Sequence, residues 1–227
     1  MNSTTRKYPS GCRLGEKTRQ EETDHRISNS LAFLAAMLRF ESREIASVAE
    51  ARASLNHAAG RLRAMARLHR ALAAQPDERE VALADRLQTL CADVSESNGL
   101  SIDVRSDDVP ACAQQIAQFG IILNELAANA VKHGDQSGYP VVMTLTAESL
   151  PDGPLRFRIV DNGPGLPDDF DFETSTGLGM SIVTSTVAKL GGTITTLDDR
   201  RRAGFEIVLP PARAEESEDR MADSSPA

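Results

Sequence analysis

Tryptophan is absent from this chain, and aromatic residues make up only 4% of it. No apolar run approaches the roughly 20 residues that cross a bilayer as a helix, so membrane insertion is not expected. The first twenty residues carry Arg6, Lys7, Arg13, Lys17 and Arg19 with no apolar stretch behind them, so they do not read as a signal peptide. Cysteine is scarce. Cys12, Cys91 and Cys112 lie far apart, in neither a metal-ligand spacing nor a disulfide framework, which fits a reducing cytoplasm. Positive charge is in the minority, 25 Lys and Arg against 33 Asp and Glu, so no basic face for nucleic acid is expected. Proline is missing between Glu22 and Ala74, and Gly60 is the single glycine of that stretch.

What fills that stretch is Ala, Leu, Arg and Glu, all strong helix formers. Val48, Ala51, Leu55, Ala58, Leu62, Met65, His69 and Leu72 alternate steps of three and four, a heptad seam. Ile27, Leu31, Leu34, Leu38 and Ile45 form a second one. A polar connection near residues 41–47 joins them. The pattern predicts an antiparallel helical hairpin that buries too little by itself; a four-helix bundle formed as a homodimer is expected, with a hairpin packed on its own second domain as the alternative. Residues 1–20 and the acidic tail 211–227 are polar enough to be disordered.

Gln75-Pro76-Asp77-Glu78 breaks the helical pattern and reads as a linker. Beyond it the pattern predicts helices over 81–97, 114–132 and 178–190, with strands over 100–105, 141–147, 155–161, 193–197 and 205–209. Strict alternation is lacking, which favours an α/β sandwich with a mixed sheet and an α+β chain as a whole. The expected division is 1–20, 21–75, 76–210 and 211–227.

Asp161-Asn162-Gly163-Pro164-Gly165 closes an apolar strand, and Gly177-Leu178-Gly179-Met180-Ser181 opens an apolar helix. Glycines let a ligand approach the main chain. A helix N-terminus offers free N–H groups to phosphate, and an acidic residue before a glycine turn can accept a base amino group. Upstream, Glu125 and Asn129 are one helical turn apart and Lys132 lies three residues further on. An amide oxygen is a hard Mg2+ ligand and lysine adds charge for phosphates. Alone, such a stripe is more often a solvated helix face; beside two glycine motifs it points to Mg2+ and a nucleotide.

The run Asn124-Glu125-Leu126-Ala127-Ala128-Asn129-Ala130-Val131-Lys132-His133-Gly134, with the two glycine motifs, resembles the three ATP-binding boxes of sensor histidine kinases. Asp24-His25-Arg26-Ile27-Ser28-Asn29 resembles the phosphoacceptor box of their HisKA_2, or HWE-like, subfamily. The resemblance covers about 22–210 and implies a Bergerat-type HATPase domain, with ATP and Mg2+ as its ligands. It implies that Asn129 ligates Mg2+ and Asp161 holds the adenine amino group. Gly163 and Gly165 would shape the base pocket, and Gly177, Leu178, Gly179 and Met180 would receive the phosphates. Lys132 and His133 would lie beside the phosphates or ribose. Glu125 would stand where related ATPases keep a water-activating carboxylate, and it is a second candidate Mg2+ ligand.

His25 would then be the phosphorylated nucleophile, with Arg26 and Asn29 in its box. The partner would be the receiver domain of a response regulator, with input from a separate sensor protein or the N-terminal segment. His57 and His69 read as structural. Ser28 and Ser30 replace a usual Lys and Asn, Ala203 and Gly204 replace a usual hydroxyl residue, and the 166–176 lid is short and acidic. A histidine phosphotransferase with a non-catalytic ATP domain is the alternative. A serine kinase of the anti-sigma-factor type is a further one, but it would not need the His25 hairpin.

Overall fold

The computed structural model describes residues 45–73, 80–134, 140–167, 170–172, 177–197 and 202–211, with scattered positions between 28 and 43. His25, Arg26 and Asn29, the 75–78 linker, and both tails apart from Pro211 lie outside the described residues. The chain divides into two compact units at Ala51/Arg52.

In the first unit, the described positions from Ser28 to Phe40 are helical and Ser42–Arg43 form a turn. The turn is closed by Ser42 N–H donating to Leu38 O (2.9 Å) and Arg43 N–H to Phe40 O (3.2 Å). Helix α1 (Val48–Ala73) starts on a reciprocal cap. The Glu50 N–H donates to Ser47 Oγ (3.1 Å), and the Glu50 carboxylate accepts from the Ala46 N–H (2.7 Å). This is a capping box displaced by one residue, and it supplies the stop and start that no Gly or Pro provides.

The second unit holds the rest of α1 from Arg52 and a mixed sheet. Strands β2 (Ser101–Ser106), β4 (Val142–Ser149), β5 (Leu155–Asp161), β6 (Thr193–Thr196) and β7 (Gly204–Leu209) run in the order β2-β4-β5-β7-β6. Only β2 and β4 are parallel. Burial alternates along β4 and β5, as expected when one sheet face meets helices and the other meets water. The buried face, Met143, Leu145, Phe157, Ile159, Ile207 and Leu209, packs on α2 (Leu83–Asn98), α3 (Ala113–Gly134) and α4 (Leu178–Lys189). Phe119 of α3 stacks on Phe157 of β5 with ring centroids 4.0 Å apart. The opposite face carries a cross-strand charge pair, Arg158 Nε to Glu206 Oε2 at 2.8 Å.

The mixed α/β sandwich read from the sequence is the observed architecture, with one addition. Glu80–Ala82 is a strand, β1, paired antiparallel with β3 (Pro110–Cys112), so the helix expected from Val81 starts at Leu83. The two three-residue strands carry no alternation long enough to read. Cys91 is buried in the core, and burial pushes its thiol pKa up to about 12, which leaves it unreactive. Among the described residues no helix is long and apolar enough to cross a membrane.

In the second unit, α1 turns a small-residue face inward. Ala64 is fully buried, and Ala71 packs with Ala113 and Ala117 of α3. Arg63 Nη1 donates to Ser97 Oγ (2.6 Å) and Arg67 Nη1 to Asp93 Oδ2 (2.7 Å), both on α2. Three of the heptad positions behave differently, although Ala58 of the same seam is buried. Val48, Leu55 and Leu62 are 86%, 68% and 46% exposed.

Candidate functional site

Helix α3 sets out most of the candidate residues. Its face of Ile116, Phe119, Ile122, Leu123, Leu126 and Ala127 is buried against the sheet, which fixes the rotation of the helix. Asn129 and His133 then follow Glu125 at one-turn intervals. The site has two ends.

At one end lies Asp161, the last residue of β5. Its N–H donates to Ala203 O (3.0 Å), and its Oδ1 accepts from the Gly163 N–H (2.8 Å). Asn162 ties the turn to β4. Its N–H donates to Val142 O (3.0 Å), its Oδ1 accepts from the Val142 N–H (2.9 Å), and its Nδ2 donates to Pro140 O (3.0 Å). A Cβ on Gly163 would stand 2.8 Å from Asp161 Oδ1 and 3.3 Å from the Cα of Gly134, so only glycine lets the turn lie against the end of α3. Gly165 has φ +93°, a conformation that side chains resist. Burial raises the Asp161 carboxyl above its ordinary range, opposed by the Gly163 N–H and by His133. His133 is lowered by burial and by Lys132, with Asp161 pulling the other way.

At the other end, α4 begins at Gly177, an N-cap with φ −70° and ψ 128° and no side chain to cap the first N–H groups. The Asn129 Nδ2 donates to Met180 Sδ (3.3 Å). A Cβ on Gly179 would stand 3.2 Å from Glu125 Oε2 and 3.4 Å from Asn129 Oδ1. The start of α4 therefore meets both side chains. An amide oxygen beside an open helix N-terminus suits Mg2+ and phosphate oxygens together.

Glu125 is already engaged. The Arg61 Nε donates to its Oε1 (2.7 Å) and Nη2 to its Oε2 (2.8 Å), a bidentate pair with Arg61 6% and Glu125 1% exposed. His57 Nε2 stands 3.4 Å from Oε2, long for a hydrogen bond. Burial raises the Glu125 carboxyl, but Arg61 and His57 outweigh it and hold the group below its ordinary value. Two of the carboxylate's acceptor positions, one on each oxygen, are thus taken by Arg61.

The sequence-derived set thus gathers in two groups. Glu125 and Asn129 meet Gly179 and Met180, while Asp161 and Gly163 meet the end of α3. Lys132 is exposed. Sequence reasoning missed Arg61, Gly134 and the tie made by Asn162, and it read His57 as structural. The signal for Arg61 was its neighbour. A Cβ on Gly60 would stand 2.5 Å from Asn124 Oδ1, so the lone glycine of the long helical stretch marks where α1 meets α3. Of the acidic lid, Asp168, Asp169 and Glu173 lie outside the described residues. Phe170 beside them packs edge-on against both Phe172 and Phe205.

Residues 22–98 match the family described as "Histidine kinase", and residues 114–213 match "Histidine kinase-, DNA gyrase B-, and HSP90-like ATPase". The first match is to the HisKA_2 model and the second to the HATPase_c model. It is 26% identical to "Blue-light-activated histidine kinase 2" of Erythrobacter litoralis over 75% of this chain and 50% of that one. It is 30% identical to "Sensor histidine kinase PdtaS" of Mycobacterium tuberculosis over 83% of this chain and 38% of that one. The chain thus spans half or less of the length of these curated relatives. Its fold is similar to the histidine kinase domain of the Erythrobacter litoralis EL346 blue-light activated histidine kinase. That match has a TM-score of 0.61 and 22% identity over 84% of this chain and 92% of that one. The two matched segments meet in the second unit, where Arg61 of α1 lies in the first segment and Glu125 of α3 in the second.

Proposed function

We propose that this chain is an ATP-dependent protein-histidine kinase that phosphorylates His25 and passes the phosphoryl group to the receiver aspartate of a response regulator. The observation that carries the reading is the meeting of Asn129 with the uncapped start of α4, on the same helix that ends beside the Asp161 turn. Asp161 accepts the adenine amino group, and Gly163 and Gly165 leave room for the base. The first N–H groups of α4, around Gly177, Leu178, Gly179 and Met180, face the phosphates, with Lys132 and His133 adding charge or touching the ribose. Asn129 is the Mg2+ ligand on this reading; Glu125 is the second candidate, in exchange for Arg61. When bound, Mg2+ would neutralise charge on the phosphates.

His25 attacks through a neutral imidazole nitrogen. A nitrogen–phosphorus bond forms as the bond from the γ-phosphorus to ADP breaks. Arg26 and Asn29 orient the acceptor or its phosphate. Residues 21–75 serve dimerisation and phosphotransfer, and 76–210 bind the nucleotide. A homodimer through the hairpin is supported by the open apolar side chains Leu31, Leu38, Phe40, Val48, Leu55 and Leu62. We place the protein in the cytoplasm and its input in a separate sensor protein.

Isothermal titration with Mg-ATP tests the nucleotide half of this reading. Binding by the wild type, and its weakening in Asp161→Asn, is expected. No binding by the wild type would favour a phosphotransferase that uses the domain only for docking.

A further inference from the structure

Asn162 is exposed, where water could serve its amide as well as protein does, yet the side chain is turned back onto the main chain. The β4–β5 ladder ends at the pair Met143 and Asp161. One residue further on, the Asn162 N–H donates to Val142 O (3.0 Å), and the Val142 N–H donates to Asn162 Oδ1 (2.9 Å). A side-chain oxygen thus takes the acceptor part that a main-chain carbonyl takes inside a ladder, and the main chain is free to leave the sheet at Gly163. The Asn162 Nδ2 donates to Pro140 O (3.0 Å), so the segment that leads into β4 is tied to the same side chain.

These bonds surround Asp161. Its own N–H is held by Ala203 O, and the next peptide is held by Val142. Gly163, whose N–H donates to Asp161 Oδ1 (2.8 Å), is placed by that second hold. A carboxylate is planar, so fixing its main chain and one oxygen sets the direction of the other. Gly134 closes the same end of the site, since a Cβ there would stand 3.4 Å from Val141 Cγ2 and 3.9 Å from the Cα of Gly163. Direction decides recognition. A carboxylate only accepts hydrogen bonds, so it takes an amino group and repels a carbonyl oxygen. A site built to bond a polar group rejects the analogue that lacks it, provided that the group is held in place.

We propose that Asn162 is a positioning residue for base selectivity: by fixing Asp161 it makes the site prefer a nucleotide base that carries an amino group over one that carries a carbonyl in its place. The proposal rests on the kinase reading above. Asn162 acts through Asp161 and does not itself touch the base.

The test is calorimetric titration of the full chain with Mg-ATP and with the magnesium complex of inosine triphosphate, whose base has a carbonyl oxygen where adenine has its amino group. The wild type is expected to bind Mg-ATP about tenfold or more tightly than the inosine nucleotide. In Asn162→Ala, Mg-ATP binding is expected to weaken about fivefold while inosine nucleotide binding stays the same, so the preference narrows. In an Asp161→Asn background, adding Asn162→Ala is expected to change neither affinity, because the two residues act as one unit. Equal weakening toward both nucleotides, an unchanged preference, or an additive loss in the double variant overturns the proposal. Should Asn162→Ala fail to fold, Asn162→Asp keeps the acceptor for the Val142 N–H and loses the donor to Pro140 O. It is expected to narrow the preference less, and an unchanged preference there also overturns the proposal. Failure of the wild type to bind Mg-ATP is a different result, since it removes the kinase reading itself.

Discussion

A half-buried carboxylate, Asp161, and a buried one, Glu125, mark the two ends of the site, and they are held by opposite means. Asp161 is fixed by its own turn, with Gly163 two residues away and Asn162 bonded to the adjacent strand. Burial dominates there, and its carboxyl is raised. Glu125 is fixed by Arg61 from another helix, and its carboxyl is lowered despite deeper burial. The first arrangement leaves a carboxylate with weak internal partners, ready for a ligand donor. The second leaves one with an arginine already bonded to each oxygen. Similar side chains are thus shifted in opposite directions by the reach of their partners.

The largest expected break in this contrast is at the ion pair. Arg61→Met leaves Glu125 charged and uncompensated in the core, a loss of about 3–5 kcal/mol in urea unfolding. Arg61→Met with Glu125→Leu removes both charges and is expected to recover most of that loss. Recovery of none of it would mean that α1 is held by packing instead. Asp161→Asn should instead leave unfolding nearly unchanged. It should weaken Mg-ATP binding by about 10- to 100-fold in calorimetric titration, since hydrogen bonds to charged groups contribute about 1.5–3 kcal/mol.

Acid sharpens the same contrast. Because the folded-state pKa of Glu125 lies below its unfolded value, its contribution to stability is present above the ordinary glutamate range. It is lost as pH falls through the folded value. Urea midpoints of the wild type should therefore fall more steeply below about pH 4 than those of the Arg61→Met, Glu125→Leu protein. Parallel curves would deny the ion pair its role. The smallest effect is expected at Asn162→Ala, which frees the turn from β4 at a cost of about 1 kcal/mol in unfolding. Hydrogen exchange at the Val142 amide should rise with it.

The same difference in reach explains what could be read before the fold was known. The Asp161 turn, the Gly177–Gly179 pair and the Glu125–Asn129 spacing each lie within one short segment, where glycine chemistry and helical periodicity are visible. So were the mixed sheet and the helical stretch that carries α1. The Arg61–Glu125 pair was not legible, since nothing in a heptad pattern says which face of α1 meets a helix 64 residues on. The seam of Val48, Leu55 and Leu62 drew attention to one face, while Gly60, Ala64 and Ala71 pack on the other. Small residues contribute little to a hydrophobic pattern, yet they allow the closest helix approach. The β1–β3 ribbon escaped for a different reason: three residues show no period.

At the centre stands the proposed phosphoryl transfer from ATP to His25. It is tested most directly by labelling the full chain with ATP carrying a radioactive γ-phosphate, in the wild type and in His25→Gln. The account predicts acid-labile, base-stable label in the wild type and none in His25→Gln. Label of the same stability retained by His25→Gln would contradict it.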